Sequence, residues 1–337
     1  MTETDAIHKS HWVRNTLISL AVLVVLVIAA VAVFAATVSM SFSSKSTTIE
    51  EVFPEEAARP PVATGAAASS QNILLLGSDT RGKVDSLDDA AGERSDTMMV
   101  AHIPASRDHI YIMSIMRDSW VEIPGRGEHK INAALAFGGV PLVVQTVESL
   151  ISARIDRVAI VDFEGFKGVT DALGGVDVDN PVAFDSSHMP GKTFETGVHT
   201  LDGKEALAFV RERYAFFDGD FQRARNQQAY LKAVLGQVLS ADTLLDPAKI
   251  SGLVSAISPY LTVDDGFTPM YVAGLGVELR NLRSADLTFF TAPTAGTGTS
   301  PDGQSIVNLD PTRMPLVQEA FRTDTLDTYQ PVLETIG

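Results

Sequence analysis

Between Arg14 and Lys45 the chain carries no charged residue, and Thr16 to Val38 is almost wholly Val, Ala, Leu and Ile. About 20 apolar residues in a helix span the hydrocarbon core of a bilayer, so this run commits one end of the molecule to a membrane. A cleaved signal peptide is the rival reading, and Ala30-Val31-Ala32 or Val33-Phe34-Ala35 imitates its cleavage site. The apolar part of such a peptide is about 7–15 residues, shorter than this run, which favours an uncleaved anchor. Lys9 and Arg14 precede the run and Lys45 follows it, a modest bias that leaves the N-terminus in the cytoplasm and the rest outside. The predicted organisation is a cytoplasmic tail over 1–15, an anchor over 16–38, an extracytoplasmic linker over 39–71, a folded domain over 72–325 and a tail over 326–337. Within the linker, Pro54, Pro60, Pro61 and the run from Gly65 to Ser70 read, over 45–71, as a mobile stalk.

A formal charge of −16 excludes nucleic acid as a bulk partner, because phosphate backbones select basic surfaces. Cysteine is absent, so disulfides, thiolate metal sites and cysteine nucleophiles are excluded too. The folded part opens with Asn72-Ile73-Leu74-Leu75-Leu76-Gly77, a buried strand that delivers Ser78 and Asp79 at its carboxyl end. Thr97 to Ile103 and His109 to Ile115 are predicted strands joined by a Pro104–Asp108 turn. Helical periodicity follows over Leu135 to Ile151, then a strand over Arg157 to Phe163 and a helix over Phe163 to Leu173, stopped by Gly174-Gly175 before the strand Val176–Val178. Leu201 to Val210, Phe221 to Leu239, Pro247 to Ile257, Thr268 to Leu282 and Thr312 to Phe321 read as helices, and Leu287 to Thr291 as a late strand. Strands alternating with helices predict an α/β sandwich with helices on both sheet faces. Asp85 to Glu93 reads as an exposed polar loop.

Against the acidic background, two stretches gather cations. The first holds Asp79, Arg81, Arg94, Asp96, Arg117, Asp118 and Lys130; the second holds Arg211, Arg213, Asp220, Arg223 and Gln227. Guanidinium forks match phosphate oxygens and aspartates hold hard divalent cations, so the ligand indicated is a di- or triphosphate. Asp79 and Asp96, at the ends of adjacent strands, would share a Mg²⁺-like ion; the plainer reading makes Asp79 an Asx-turn and Asp96 the partner of Arg94. Arg211 and Arg213 share one face only in extended chain. Asp220 reads as the N-cap of the following helix, which places Arg223 and Gln227 on one face near its positive end and turns Arg225 elsewhere. His102 and His109 fall in strands, and His129, His188 and His199 in loops, with no spacing for zinc. There is no serine triad and no Gly-x4-Gly-Lys-[Ser/Thr] loop. Trp120 reads either as pocket lining or as core, and Asp264-Asp265-Gly266 as a turn.

These residues carry a resemblance. Gly77-Ser78-Asp79-Thr80-Arg81, Arg94-Ser95-Asp96-Thr97, Ser114-Ile115-Met116-Arg117-Asp118, Lys130-Ile131-Asn132, Asp162-Phe163-Glu164-Gly165-Phe166, Leu201-Asp202-Gly203-Lys204-Glu205-Ala206-Leu207 and the stretch from Asp220 to Gln228 run in the order found in the LytR-CpsA-Psr family of cell-wall glycopolymer ligases. The resemblance covers roughly residues 72–325. It implies a three-layer α/β/α sandwich around a mixed central sheet, preceded by one transmembrane helix. It also implies a donor glycan on polyprenyl pyrophosphate, a peptidoglycan acceptor, and Mg²⁺ (or Mn²⁺) on Asp79 and Asp96. Diphosphate-binding groups would fall on Arg81, Arg94, Arg117, Arg211, Arg213, Arg223 and Gln227, with Lys130 in the same cluster and Arg94, Arg117 and Arg213 taking part in catalysis. Asp118 is a candidate base. Met116 stands where many members have proline. A pyrophosphohydrolase acting on the same lipid and a non-catalytic envelope sensor are the rival functions.

Overall fold

Among the described residues, seven strands assemble into one large mixed sheet and the others into smaller ones. The computed structural model describes residues 39–78, 95–244 and 246–329, so the predicted anchor, the tail before it and the 85–93 loop lie outside the described residues. The strands are β1 (Thr47–Ile49), β2 (Gln71–Ser78), β3 (Ser95–Ile103), β4 (Ile110–Ile115), β5 (Ser119–Ile123), β6 (Gly127–Lys130), β7 (Arg157–Asp162), β8 (Val176–Asn180), β9 (Phe184–Asp185), β10 (Thr193–Phe194), β11 (Gly197–Leu201), β12 (Leu261–Asp264), β13 (Leu287–Thr291), β14 (Thr294–Thr299) and β15 (Ser305–Leu309). The main helices are α1 (Ala133–Ile151), α2 (Phe163–Ala172), α3 (Gly203–Arg211), α4 (Asp220–Val238), α5 (Pro247–Ile257), α6 (Pro269–Glu278) and α7 (Met314–Thr323).

The central sheet runs β1-β12-β7-β2-β3-β4-β13. β2 is parallel to β7 and β4 to β13, while β2–β3 and β3–β4 are antiparallel. Period-two alternation sends successive side chains to opposite faces. Leu74, Leu76, Met98, Val100, Met113 and Ile115 pack with Val143 and Val147 of α1 and Val317 and Phe321 of α7. Ile73, Met99, Ala101, Ile112 and Phe289 pack on the other face with Leu231 and Leu235 of α4 and with Leu275 of α6. Helices therefore cover both faces. Each such aliphatic side chain contributes about 1.5–3 kcal/mol by leaving water.

Local chemistry sets the helix ends. Asp162 accepts from the Gly165 amide at 2.7 Å to start α2, and Asp202 accepts from Lys204 and Glu205 to start α3. α1 is long and apolar enough to cross a membrane, but Val140, Val143, Val144, Val147 and Ile151 are fully buried in the core. It is also kinked at Gly138-Gly139, before Pro141, and so is not the single helix expected there.

Three expectations are corrected. Residues 45–71 are not a free stalk: β1 pairs in parallel with β12 as the edge of the large sheet, and Arg59 grips Glu148 at 2.6 Å. Proline and small residues hid these contacts, which are all long-range. The core also continues beyond 325, since Leu326 and Tyr329 are buried in it. His129 and His199 sit in strands β6 and β11 rather than in loops; both strands are short and polar, without a readable apolar alternation.

Candidate functional site

One edge of the sheet collects the ends of five strands. Ser78 pairs with Asp162 and with Ser95, Met98 pairs with Ile115, and Ser114 pairs with Thr291. The chain leaves this edge from β2 toward Asp79, enters it at β3 through Asp96, and leaves it again from β4 as Met116-Arg117-Asp118. The close approach at the corner needs Gly77, because a β-carbon there would lie 2.9 Å from the Thr97 β-carbon. A register shift follows at once between Gly77 and Ser78.

At the end of β4, Asp118 is held by Lys130 at 3.1 Å, with the Arg117 Nε 3.8 Å away. The three side chains are all mostly covered. The Asp118 carbonyl accepts from the Val307 amide at 2.9 Å, and the Arg117 carbonyl from Asn132 at 3.2 Å. Both neighbours thereby fix the turn that presents the arginine. β14, β15, β5 and β6 form a second, four-stranded sheet that carries this turn.

The second cluster is brought to the first by packing. Met116, next to Arg117, is buried against Ala224, next to Arg223, together with Val307 and Phe221. Gln228 adds a polar tie: its amide donates to Ser114 Oγ at 2.9 Å and to Thr291 Oγ1 at 3.1 Å. Arg223 and Arg213 both point at Asp220, with Nη–Oδ1 separations of 2.8 and 3.7 Å. Asp220 is therefore the first residue of α4 and an ion-pair partner, not the N-cap expected; Gly219 occupies the cap position with φ 38°, a left-handed conformation that favours glycine.

The remaining predicted residues divide clearly. α3 ends at Arg211 and the chain turns extended at Glu212, so one extended residue separates Arg211 from Arg213. Arg211 itself is exposed. Gln227 is half-buried and donates to the Val210 carbonyl at 3.4 Å, joining α4 to the end of α3. Arg225 is exposed and pairs with Asp218, away from the others. Trp120 is half-buried on β5. Asp264 ends β12 and does more than turn the chain: its buried carboxylate accepts from the amides of Val158 and Gly266.

Asp79, Arg81 and Arg94 lie outside the described residues, as does the side chain of Asp96. The Ser78–Ser95 pairing brings the chain on either side of the expected cation ligands to one corner, and two carboxylates are a donor set that suits Mg²⁺ or Mn²⁺. Among the described residues, no group of three His, Asp or Glu side chains is placed to hold an ion.

Sequence reasoning passed over Glu212, which is fully buried between the two arginines. Its alternation with Arg211 and Arg213 was the available signal.

A match to the LytR_cpsA_psr family spans residues 34–323. The chain belongs to this family. Among relatives, it is 30% identical over 308 residues to the cell wall biosynthesis protein LcpA of Corynebacterium glutamicum, a match covering 80% of this chain and 58% of the relative. It is 32% identical over 254 residues to the polyisoprenyl-teichoic acid–peptidoglycan teichoic acid transferase TagU of Enterococcus faecalis, covering 74% of this chain and 78% of that one. The match thus spans a little over half the length of LcpA and about three quarters of TagU. Among solved structures, TagV of B. subtilis superposes with a TM-score of 0.65 at 27% identity, covering 76% of this chain and 98% of that one. TagT bound to LI-WTA gives 0.61 at 25% identity, covering 81% and 98%.

Proposed function

We propose that this protein is a transferase that moves a glycopolymer from a polyprenyl-pyrophosphate carrier onto peptidoglycan during cell-wall assembly. The observation that carries the reading is the burial of Met116 against Ala224, which seats the Arg117 corner beside the Arg223 helix in a family whose relatives are named for this chemistry. Two cationic groups on separate elements suit a ligand with two adjacent phosphates better than one with a single phosphate.

A hydroxyl oxygen of a peptidoglycan sugar attacks the phosphorus attached to the glycan. The bond from that phosphorus to the bridging oxygen breaks, and polyprenyl phosphate departs with the electron pair. The glycan remains on the wall through a phosphodiester. Arg117, Arg213 and Arg223, joined by Arg81, Arg94, Lys130 and Arg211, neutralise the charge that grows on the bridging oxygen. Charge neutralisation and alignment supply most of the rate in such transfers. The hydroxyl proton passes to a carboxylate at this edge, for which Asp118 is the described candidate, kept in place by Lys130 at 3.1 Å. A bound Mg²⁺ or Mn²⁺, held by Asp79 and Asp96, would neutralise phosphate oxygens.

The prenyl donor requires that the site work at a membrane, with residues 16–38 proposed as a single-pass anchor, the N-terminus in the cytoplasm and the domain outside. In support, residues 39–45 are helical, Phe42 is buried against Leu261 and Val263, and Ser41 meets Ser255 of α5 at 3.1 Å. The chain that follows residue 38 is thus packed on the domain through Ser41 and Phe42. Full-length protein with lipid-linked polymer and peptidoglycan fragments tests the reading. Wall-linked phosphodiester should appear together with polyprenyl monophosphate; release of free glycan phosphate with nothing attached to the wall would make it a hydrolase instead.

A further inference from the structure

We propose that Glu212 is a positioning residue, a buried carboxylate that shapes the turn carrying Arg213, directly after Arg211 at the end of α3, for diphosphate binding. The inference rests on the proposed lipid diphosphate. Glu212 is fully buried where α3 ends. Its Oε1 accepts from three successive amides, those of Arg213 and Tyr214 at 3.0 Å and Ala215 at 3.3 Å. Its Oε2 accepts from the Ser187 amide at 2.6 Å, and Ser187 Oγ lies within 2.9–3.0 Å of both oxygens. A buried carboxylate is tolerated only when it is so satisfied.

The consequence for the arginines is geometric. Three amides folded around one oxygen leave the chain from 213 to 215 a single shape, and Arg213 emerges from it toward Asp220 and against Tyr214. The Ser187 contacts bring in the loop between β9 and β10, whose His188 also reaches the Arg211 carbonyl at 3.2 Å. Arg213 therefore leaves a turn clamped from within by one carboxylate, and Arg211, the last residue of α3, adjoins that turn with its carbonyl met from outside by the same loop. Burial alone would raise the Glu212 pKa, but the hydrogen bonds from Ser187, Ala215 and Tyr214 outweigh it and hold the group below the usual glutamate value. The clamp is thus ionised at neutral pH.

The test measures binding of farnesyl pyrophosphate and farnesyl monophosphate to the full-length protein in detergent. Glu212→Gln keeps an oxygen for the three amides and turns its NH₂ toward Ser187, so it should weaken diphosphate binding about tenfold; Glu212→Ala should weaken it about a hundredfold. Ser187→Ala, which removes one donor from the clamp and leaves the carboxylate, should weaken it about threefold. In all three, affinity for the monophosphate should change less, so preference for the diphosphate falls. A purely structural role would instead lower the number of binding sites per chain and leave the dissociation constant of the remainder unchanged, which would overturn the proposal. Wild-type affinity in Glu212→Gln and Ser187→Ala alike would overturn it as well. Failure of the wild type to bind farnesyl pyrophosphate would overturn the function reading and this inference together, whereas wild-type binding with unaltered variants overturns only this one.

Discussion

Met116 and Ala224 share one small buried cluster, each a single residue away from a site arginine. The cluster is apolar, yet it packs together the two elements that carry Arg117 and Arg223. Met116→Ala should cost about 2–4 kcal/mol of stability through the cavity it leaves. It should also lower transfer activity well below what the remaining folded fraction accounts for. Denaturant midpoints and specific activity on the same preparations separate the two effects; activity that simply follows the folded fraction would deny the contact a role in the site.

Arg223 and Arg225 are two positions apart on α4 and have opposite surroundings. The first is buried against Asp220, and the second is exposed and paired with Asp218. Exposed ion pairs contribute little. Arg223→Ala should lower kcat/KM at least a hundredfold if its charge meets the phosphates, whereas Arg225→Ala should change it less than about threefold. Equal losses would show that the helix face has been assigned wrongly.

Much of this architecture is written in apolar periodicity. β13 and α5 match the expected residue ranges, and most other predicted helices and strands differ by one to four residues at their ends. The second sheet was not legible: β14 is Thr-Ala-Gly-Thr-Gly-Thr, and β6 is Gly-Glu-His-Lys, with no apolar face to betray either strand. The cations of the site were legible because they oppose the chain's overall charge. What the sequence could not convey was which carboxylates they meet. Asp220 looked like a cap, since Asp at the start of a helix often is one, but two arginines meet its carboxylate. Glu212 drew no reading from the sequence, and its burial reveals the turn folded around it.

A second buried polar site ties the end of α7 to the central sheet. His102 on β3 meets Asn72 through Nδ1 and Asp324 through Nε2, both at 2.8 Å, and Asp324 also accepts from the Ala105 amide at 3.0 Å. Burial raises the pKa of Asp324, but the hydrogen bonds from His102 and Ala105 outweigh it and hold the carboxyl below the usual aspartate value. A depressed folded-state pKa means that the contribution is complete above the unfolded value and is lost as the pH falls through the folded one. Urea midpoints taken between about pH 6 and pH 2 should show a steeper acid loss in the wild type than in Asp324→Asn. Parallel curves would show that this carboxylate adds no acid-sensitive stability.

The claim on which the functional account depends is that Arg117 and Arg223 act on one diphosphate. A double-mutant cycle on farnesyl pyrophosphate binding, using Arg117→Ala, Arg223→Ala and the pair in full-length protein, measures this directly. Each single variant should lose at least about tenfold in affinity, and the double variant should lose at least about fivefold less than the product of the two. Full multiplicativity, or wild-type affinity in either single variant, would contradict the account.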